Sequence, residues 1–240
     1  MILPFDKVYC LHLTEATERY DNIMEQFAKL GITDQVNIWW SCLRPISVEI
    51  GNNIKTLHTK YYDDVKNGYN PNVYGSIFNV SFEFYTIIKQ AYLRGFNTIL
   101  LMEDDIRFKD GYDYESLFAN LPEDWDILRL GFSDYHDDWI RKEEKFKTDD
   151  SELLKINWQF GGMCLIALNR NAMKFYIDYM EAKFECADYP FTFLYNGNNK
   201  HFHPNGKELV TYVARQSIVD VGGTNKLYTL IGSNCQENRC

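Results

Sequence analysis

Val8-Tyr9-Cys10-Leu11-His12-Leu13 is an apolar run broken only by one histidine, and it reads as a strand. Ala16, Tyr20, Ile23, Phe27 and Leu30 then recur at spacings of three and four, which predicts a helix with one apolar face. Thr14 stands where an N-cap is expected, and Glu15 and Glu18 suit the positive end of the helix dipole. Lys29 and Gly31 supply its stop. Val36 to Trp40 predicts a second strand. Residues 41–74, rich in Asn, Tyr and Asp, break the pattern and read as a surface excursion. A second helix is expected from about Ser76 to Arg94 on the stripe Ile77, Val80, Phe84, Ile87, Ile88 and Ala91, ended by Gly95. Thr98-Ile99-Leu100-Leu101-Met102 is almost wholly apolar, as a strand covered on both faces should be, and Asp126 to Leu130 predicts another, ending at Gly131.

The second half is less periodic. Trp158 to Leu168 reads as a glycine-containing bend running into a strand, and Asn171 to about Glu185 as a helix with Ala172, Phe175, Tyr176, Tyr179 and Met180 on one face. Residues 188–207 are turn-rich, and Val210 to Val219 suggests further strands. Strands alternating with helices predict an α/β fold with a mostly parallel central sheet flanked by helices. No internal repeat and no Pro/Ser/Gly linker divides the chain, so one domain over residues 1–240 is expected. Ligands of such sheets bind beyond the carboxyl ends of the strands, which directs attention to Leu13-Thr14, Trp40, Glu103-Asp104-Asp105 and Gly131-Phe132.

A chain of 240 residues needs neither disulfides nor a metal merely to fold. The net charge of −9 is uneven: residues 103–152 hold 17 of the 34 acidic side chains and only 7 of the 25 basic ones. A basic footprint for nucleic acid is absent, and a nucleic-acid partner is not expected. No run approaches the roughly 20 apolar residues of a membrane span. The first residues lack the basic start and apolar stretch of a secretory signal, so a cytoplasmic location with reduced cysteines is expected. Cys10 and Cys164, inside apolar runs, are expected to be buried thiols, and Cys235 and Cys240 to be unpaired.

The sharpest feature is Leu100-Leu101-Met102-Glu103-Asp104-Asp105. Three carboxylates directly after a buried strand repel one another and resist desolvation, a cost that a divalent cation would remove. Mg²⁺ and Mn²⁺ take oxygen ligands, commonly one or two carboxylates plus substrate phosphates. Strand alternation puts Glu103 and Asp105 on one side. Neither a G-x-G-x-x-G nor a G-x-x-x-x-G-K-[ST] segment occurs, so a Rossmann dinucleotide site and a P-loop are unsupported. A diphosphate held by metal, rather than by backbone amides, fits a nucleotide-sugar enzyme.

Several segments resemble glycosyltransferase family 25, the lipooligosaccharide-type and collagen-type galactosyltransferases. Val8-Tyr9-Cys10-Leu11-His12-Leu13 with Arg19 is similar to that family's opening strand and arginine-bearing helix. Leu101-Met102-Glu103-Asp104-Asp105-Ile106-Arg107-Phe108 is similar to its acidic motif, and Trp125-Asp126-Ile127-Leu128-Arg129-Leu130-Gly131 to its next strand. Gly161-Gly162-Met163-Cys164-Leu165-Ile166-Ala167-Leu168 with Asn171-Ala172 resembles a further segment. Asp188 and Gln216 fall at family positions. Arg19 stands alone where the family often has two or three arginines, Ser81-Phe82-Glu83 replaces a Ser-His pair, and Gly222-Gly223-Thr224-Asn225 replaces a Ser-Asp.

The resemblance implies a GT-A-like fold, with a nucleotide half over about 5–131 and an acceptor half over about 132–230. It implies an inverting transfer of galactose or glucose from a UDP-sugar to a hydroxyl of a glycan or other acceptor, as in lipopolysaccharide biosynthesis. Mn²⁺ or Mg²⁺ would be held by Asp105 and Glu103. Donor contacts are expected from Leu13, Thr14, Arg19, Glu103, Asp104 and Gln216. The base that deprotonates the acceptor would be Asp188, with Asp134 second. His201 and His203, spaced to share a strand face, and Trp158 and Phe160, able to wall an acceptor site, are further candidates. A lipid-linked acceptor would bring the protein to a membrane surface without a span. Two other readings stand: a metal-dependent nucleotidyltransferase, which would want a glycine- and lysine-rich phosphate loop near residues 12–20, and a non-catalytic carbohydrate-binding protein.

Overall fold

Apolar side chains alternate between two faces along each inner strand, and two cores form on the two sides of the sheet. The computed structural model describes residues 1–41, 71–132, 151–156, 163–182, 184, 187, 189–192 and 209–221. The elements in chain order are β1 (Lys7–Leu13), α1 (Thr17–Leu30), β2 (Val36–Ser41), α2 (Pro71–Leu93), β3 (Thr98–Glu103), β4 (Ile106–Phe108), α3 (Tyr114–Ala119), β5 (Ile127–Gly131), β6 (Leu153–Ile156), β7 (Leu165–Asn169), α4 (Arg170–Ala182), α5 (Tyr189–Thr192), β8 (Thr211–Ala214) and β9 (Val219–Val221).

Seven strands pair in the order β2-β1-β3-β7-β5-β8-β6, and β4 pairs with β9 in a separate ribbon. β1 is parallel to β2 and β3, and β5 is parallel to β8. β7 runs antiparallel to both β3 and β5, and β6 antiparallel to β8. β2, β1, β3, β5 and β8 therefore share one direction, and the expected mixed α/β architecture with a mostly parallel sheet holds. β7 begins at Leu165 beside Gly131, where β5 ends, and runs back along β5 between it and β3.

Val8, Cys10, Leu100, Met102, Leu128 and Leu130 face α1 and α3, packing with Ile23, Phe27, Leu117 and Phe118. Tyr9, Leu11, Ile99, Leu101, Ile127 and Ile166 face α2 and α4, packing with Phe84, Ile87, Ile88, Met173 and Tyr176. Two-sided cover accounts for the near-continuous apolar character of β1 and β3.

The helices depart from expectation in instructive ways. Gly31 (φ 68°) and Gly95 (φ 85°) take left-handed conformations at the two predicted stops. α1 is capped not by Thr14 but at Ala16, with no side-chain hydrogen bond there, and the Thr14 hydroxyl donates to the Ser41 carbonyl. Its buried line is Arg19, Ile23 and Phe27, and Tyr20 and Leu30 are only half-buried. α2 already begins at Pro71, inside the expected irregular stretch, and proline suits a first helical turn. The short β4, α3 and β6 were not predicted; each is too brief to show a period. Cys10 is a buried free thiol and Cys164 a half-buried one, whereas Cys235 and Cys240 lie outside the described residues. No helix among the described residues is long and apolar enough to cross a membrane.

Gly131 sits where β5 shifts register against β7. A Cβ there would lie 2.5 Å from Val219 Cγ2 and 2.7 Å from Leu165 Cβ. Gly131→Ala is therefore expected to lower the unfolding free energy by about 1–3 kcal/mol through overpacking, read from urea denaturation.

Candidate active site

Leu13, Ser41 and Glu103 end three adjacent co-directional strands, and cross-ties hold these ends together. The Thr14 amide and hydroxyl both donate to the Ser41 carbonyl at 2.7 Å. Asn79 of α2 donates to the Ser41 hydroxyl at 2.9 Å. The Glu103 amide donates to the Cys164 carbonyl at the start of β7.

Asp104 is the hub. His12 donates from Nδ1 to its Oδ2 at 2.6 Å, and the Leu13 amide donates to the same oxygen at 3.2 Å. The Arg19 guanidinium donates to Oδ1, also at 3.2 Å. All three side chains are buried, His12 completely. The phase of α1 explains Arg19: one turn above Ile23 and two above Phe27, it continues the buried line to the spot where Asp104 waits. Donation from His12 Nδ1 suits a carboxylate acceptor and leaves Nε2 buried with no hydrogen-bond partner among the described residues.

Asp105 lies in the same turn, its Oδ2 4.0 Å from Arg19 and its side chain 16 % exposed. Its buried Oδ1 has no hydrogen-bond partner among the described residues. Burial pushes the Asp105 carboxyl up, Arg19 pulls it back, and neighbouring Asp104 pushes it further up. The same acids, after burial itself, hold the Cys10 thiol well above its usual range.

Asp104 and Asp105 thus meet around Arg19. The strand ends at Glu103, so the alternation expected to align Glu103 with Asp105 stops two residues short of Asp105. Alternation through Ile99 and Leu101 carries Glu103 to the α2–α4 side, half-buried. α1 also secures the chain that leaves the acidic turn. Gln26 donates to the Ile106 carbonyl at 3.2 Å and accepts from the Phe108 amide at 2.6 Å.

Of the sequence candidates, Leu13, Arg19, Asp104 and Asp105 meet directly, with Thr14 and Glu103 at the adjoining strand ends. Gln216 is exposed between β8 and β9. The register Phe108↔Val219 puts it past the Phe108 end of β4, away from Asp105. Asp134, Asp188, His201, His203, Trp158 and Phe160 lie outside the described residues. His12, passed over as one polar break in an apolar strand, is part of the site. The polar break itself is the signal the sequence offers; strand register alone brings it to Asp104.

Asp104 and Asp105 should respond oppositely to substitution. Asp104→Ala strips a buried guanidinium of a partner and is expected to cost about 3–5 kcal/mol in urea unfolding. Asp105→Asn should stabilise at neutral pH. Its carboxyl titrates above the ordinary value of 3.8 in the folded protein, so ionisation penalises the fold at higher pH. That gain should shrink as the pH falls towards 3.8, where the wild-type carboxyl is protonated in the folded chain.

No protein-family model matches the chain, and no curated protein sequence is similar to it. Similar solved structures include two glycosyltransferases. One is a glycosyltransferase involved in glycosylation of the major capsid of PBCV-1, at 9 % identity and TM-score 0.42, covering 93 % of this chain and 96 % of that one. The other is mouse xyloside xylosyltransferase 1 in its apo form, at 11 % identity and TM-score 0.31, covering 70 % and 68 %. A third is A197 from STIV, at 8 % identity and TM-score 0.38, covering 89 % and 83 %. Likenesses this distant assign neither fold nor activity, and the architecture rests on the strand order and register above.

Proposed function

We propose that the chain is a metal-dependent, inverting glycosyltransferase that moves a hexose, galactose or glucose, from a UDP-sugar to a hydroxyl of a glycan or other acceptor. The observation that carries this reading is the carboxylate cluster at the carboxyl end of β3, in which Asp105 keeps a buried oxygen unpartnered. An acid held that way is costly unless something cationic completes it.

The donor set suits Mn²⁺ or Mg²⁺, being hard oxygen. Among the described residues no three His, Cys, Asp or Glu side chains gather as a closed cage. Such ions commonly use one or two carboxylates and leave other positions to water and substrate phosphates. Asp105 would be the ligand, with Glu103 holding a metal-bound water or the donor ribose. Asp104, which already accepts three hydrogen bonds, is the anchor that orients its neighbours. The bound metal would neutralise charge on the departing nucleoside diphosphate. Arg19, 6 % exposed and held on Asp104, serves the carboxylates first. Family position nominates Asp188, and after it Asp134, to take the acceptor proton.

Calorimetry should show UDP binding tighter with Mn²⁺ than with EDTA, and Asp105→Asn should erase the difference. Equal affinities in the two conditions would exclude a metal bridge. Supplied with Mn²⁺ and a UDP-sugar, the protein should slowly release UDP even without acceptor. If instead a nucleoside triphosphate and a sugar phosphate yield pyrophosphate, it is a nucleotidyltransferase. With acceptor present, Asp188→Asn is expected to lower kcat about 10²–10⁴-fold while UDP affinity holds. Loss with Asp134→Asn alone would move the base there.

A further inference from the structure

Trp40 is 55 % exposed, one of four large apolar side chains so exposed among the described residues. Ile2 lies near the amino terminus, Leu93 at the end of α2, and Phe184 against Tyr85. Trp40 alone stands at the carboxyl edge of the sheet, next to last in β2.

It is also firmly mounted. The β1–β2 register sets Trp40 directly beside His12. The two rings meet edge to face, with centroids 4.9 Å apart and planes at 83°. Tyr20 of α1 leans on Trp40 at 5.1 Å and 33°, and on His12 at 5.3 Å. His12 is in turn bonded to Asp104. A continuous line of contacts thus runs from an exposed indole through a buried imidazole to the carboxylate cluster.

We propose that Trp40, backed by Tyr20 and His12, is the stacking platform for the base of the nucleotide whose phosphates lie at Asp105. The proposal rests on the nucleotide-sugar reading above and adds where the base sits. Every nucleobase offers a π-face to an aromatic side chain, so stacking of this kind tolerates any base. β2 and β3 flank β1, so platform and carboxylates stand two strand spacings apart, roughly 10 Å. That gap suits a ligand with a planar ring at one end, phosphates at the other and a ribose between. A lone pyranose would not span it. Rings braced from two sides lose little freedom when a ligand arrives, which favours binding.

The test titrates UDP, uridine, pyrophosphate and galactose, each with Mn²⁺, into wild type, Trp40→Ala and Trp40→Phe. Calorimetry gives affinity, and urea unfolding checks that the variants are folded. Trp40→Ala should weaken UDP and uridine about 5- to 100-fold, the usual range for a lost base–aromatic stack. Trp40→Phe should restore most of that loss, and pyrophosphate affinity should be unchanged in both variants. Undiminished UDP and uridine affinity in folded Trp40→Ala would overturn the platform while leaving the glycosyltransferase reading intact. Loss of galactose binding with uridine unaffected would make Trp40 a sugar wall and also overturn it. Failure of wild type to bind UDP at all would remove the reading on which the proposal rests.

Discussion

One buried carboxylate organises the carboxyl edge of this sheet. Asp104 receives His12 and the Leu13 amide from β1 and Arg19 from α1, binding strand end, helix and acidic turn at a single point. Burying these groups is costly, and three charge-assisted hydrogen bonds offset that cost only while all partners stay in place. Asp105 inherits its position from this arrangement. So does Arg19, whose charge is held against Asp104 from inside an apolar helix face.

The division of labour between the two aspartates follows from saturation. Asp104 has both oxygens engaged, whereas Asp105 has one oxygen near Arg19 and one buried without a partner. A group with all its capacity used inside the protein serves geometry. A group with capacity left over can serve a ligand.

Much of the fold was legible because β1, α1, α2 and β3 carry strong periods, and the glycines at 31 and 95 mark real helix ends. Hydrophobic period, however, contains no direction. It could predict β7 as a strand but not that it runs backward between β3 and β5. The apolar face of α1 holds at Ala16, Ile23 and Phe27, but a rule that seeks apolar residues takes Tyr20 over the buried Arg19. The acidic cluster was visible because it terminates an apolar strand. Asp104's side-chain partners were not, since they stand 85 and 92 residues away and only strand register brings them close. The fate of Asp134 and Asp188 belongs to the segments outside the described residues.

The register between β1 and β2 also bears on the order in which the chain organises. His12 and Trp40 stand 28 positions apart, whereas His12 and Asp104 stand 92 apart. Closing the longer loop costs about 1 kcal/mol more in chain entropy, and mixed sheets with distant pairings assemble slowly for this reason. The β1–α1–β2 unit can bring its aromatic cluster together from local sequence, but the imidazole within it stays unsatisfied until β3 arrives. The histidine thus rewards late docking of the acidic strand, and an unfinished sheet would leave a polar ring stranded among aromatic neighbours.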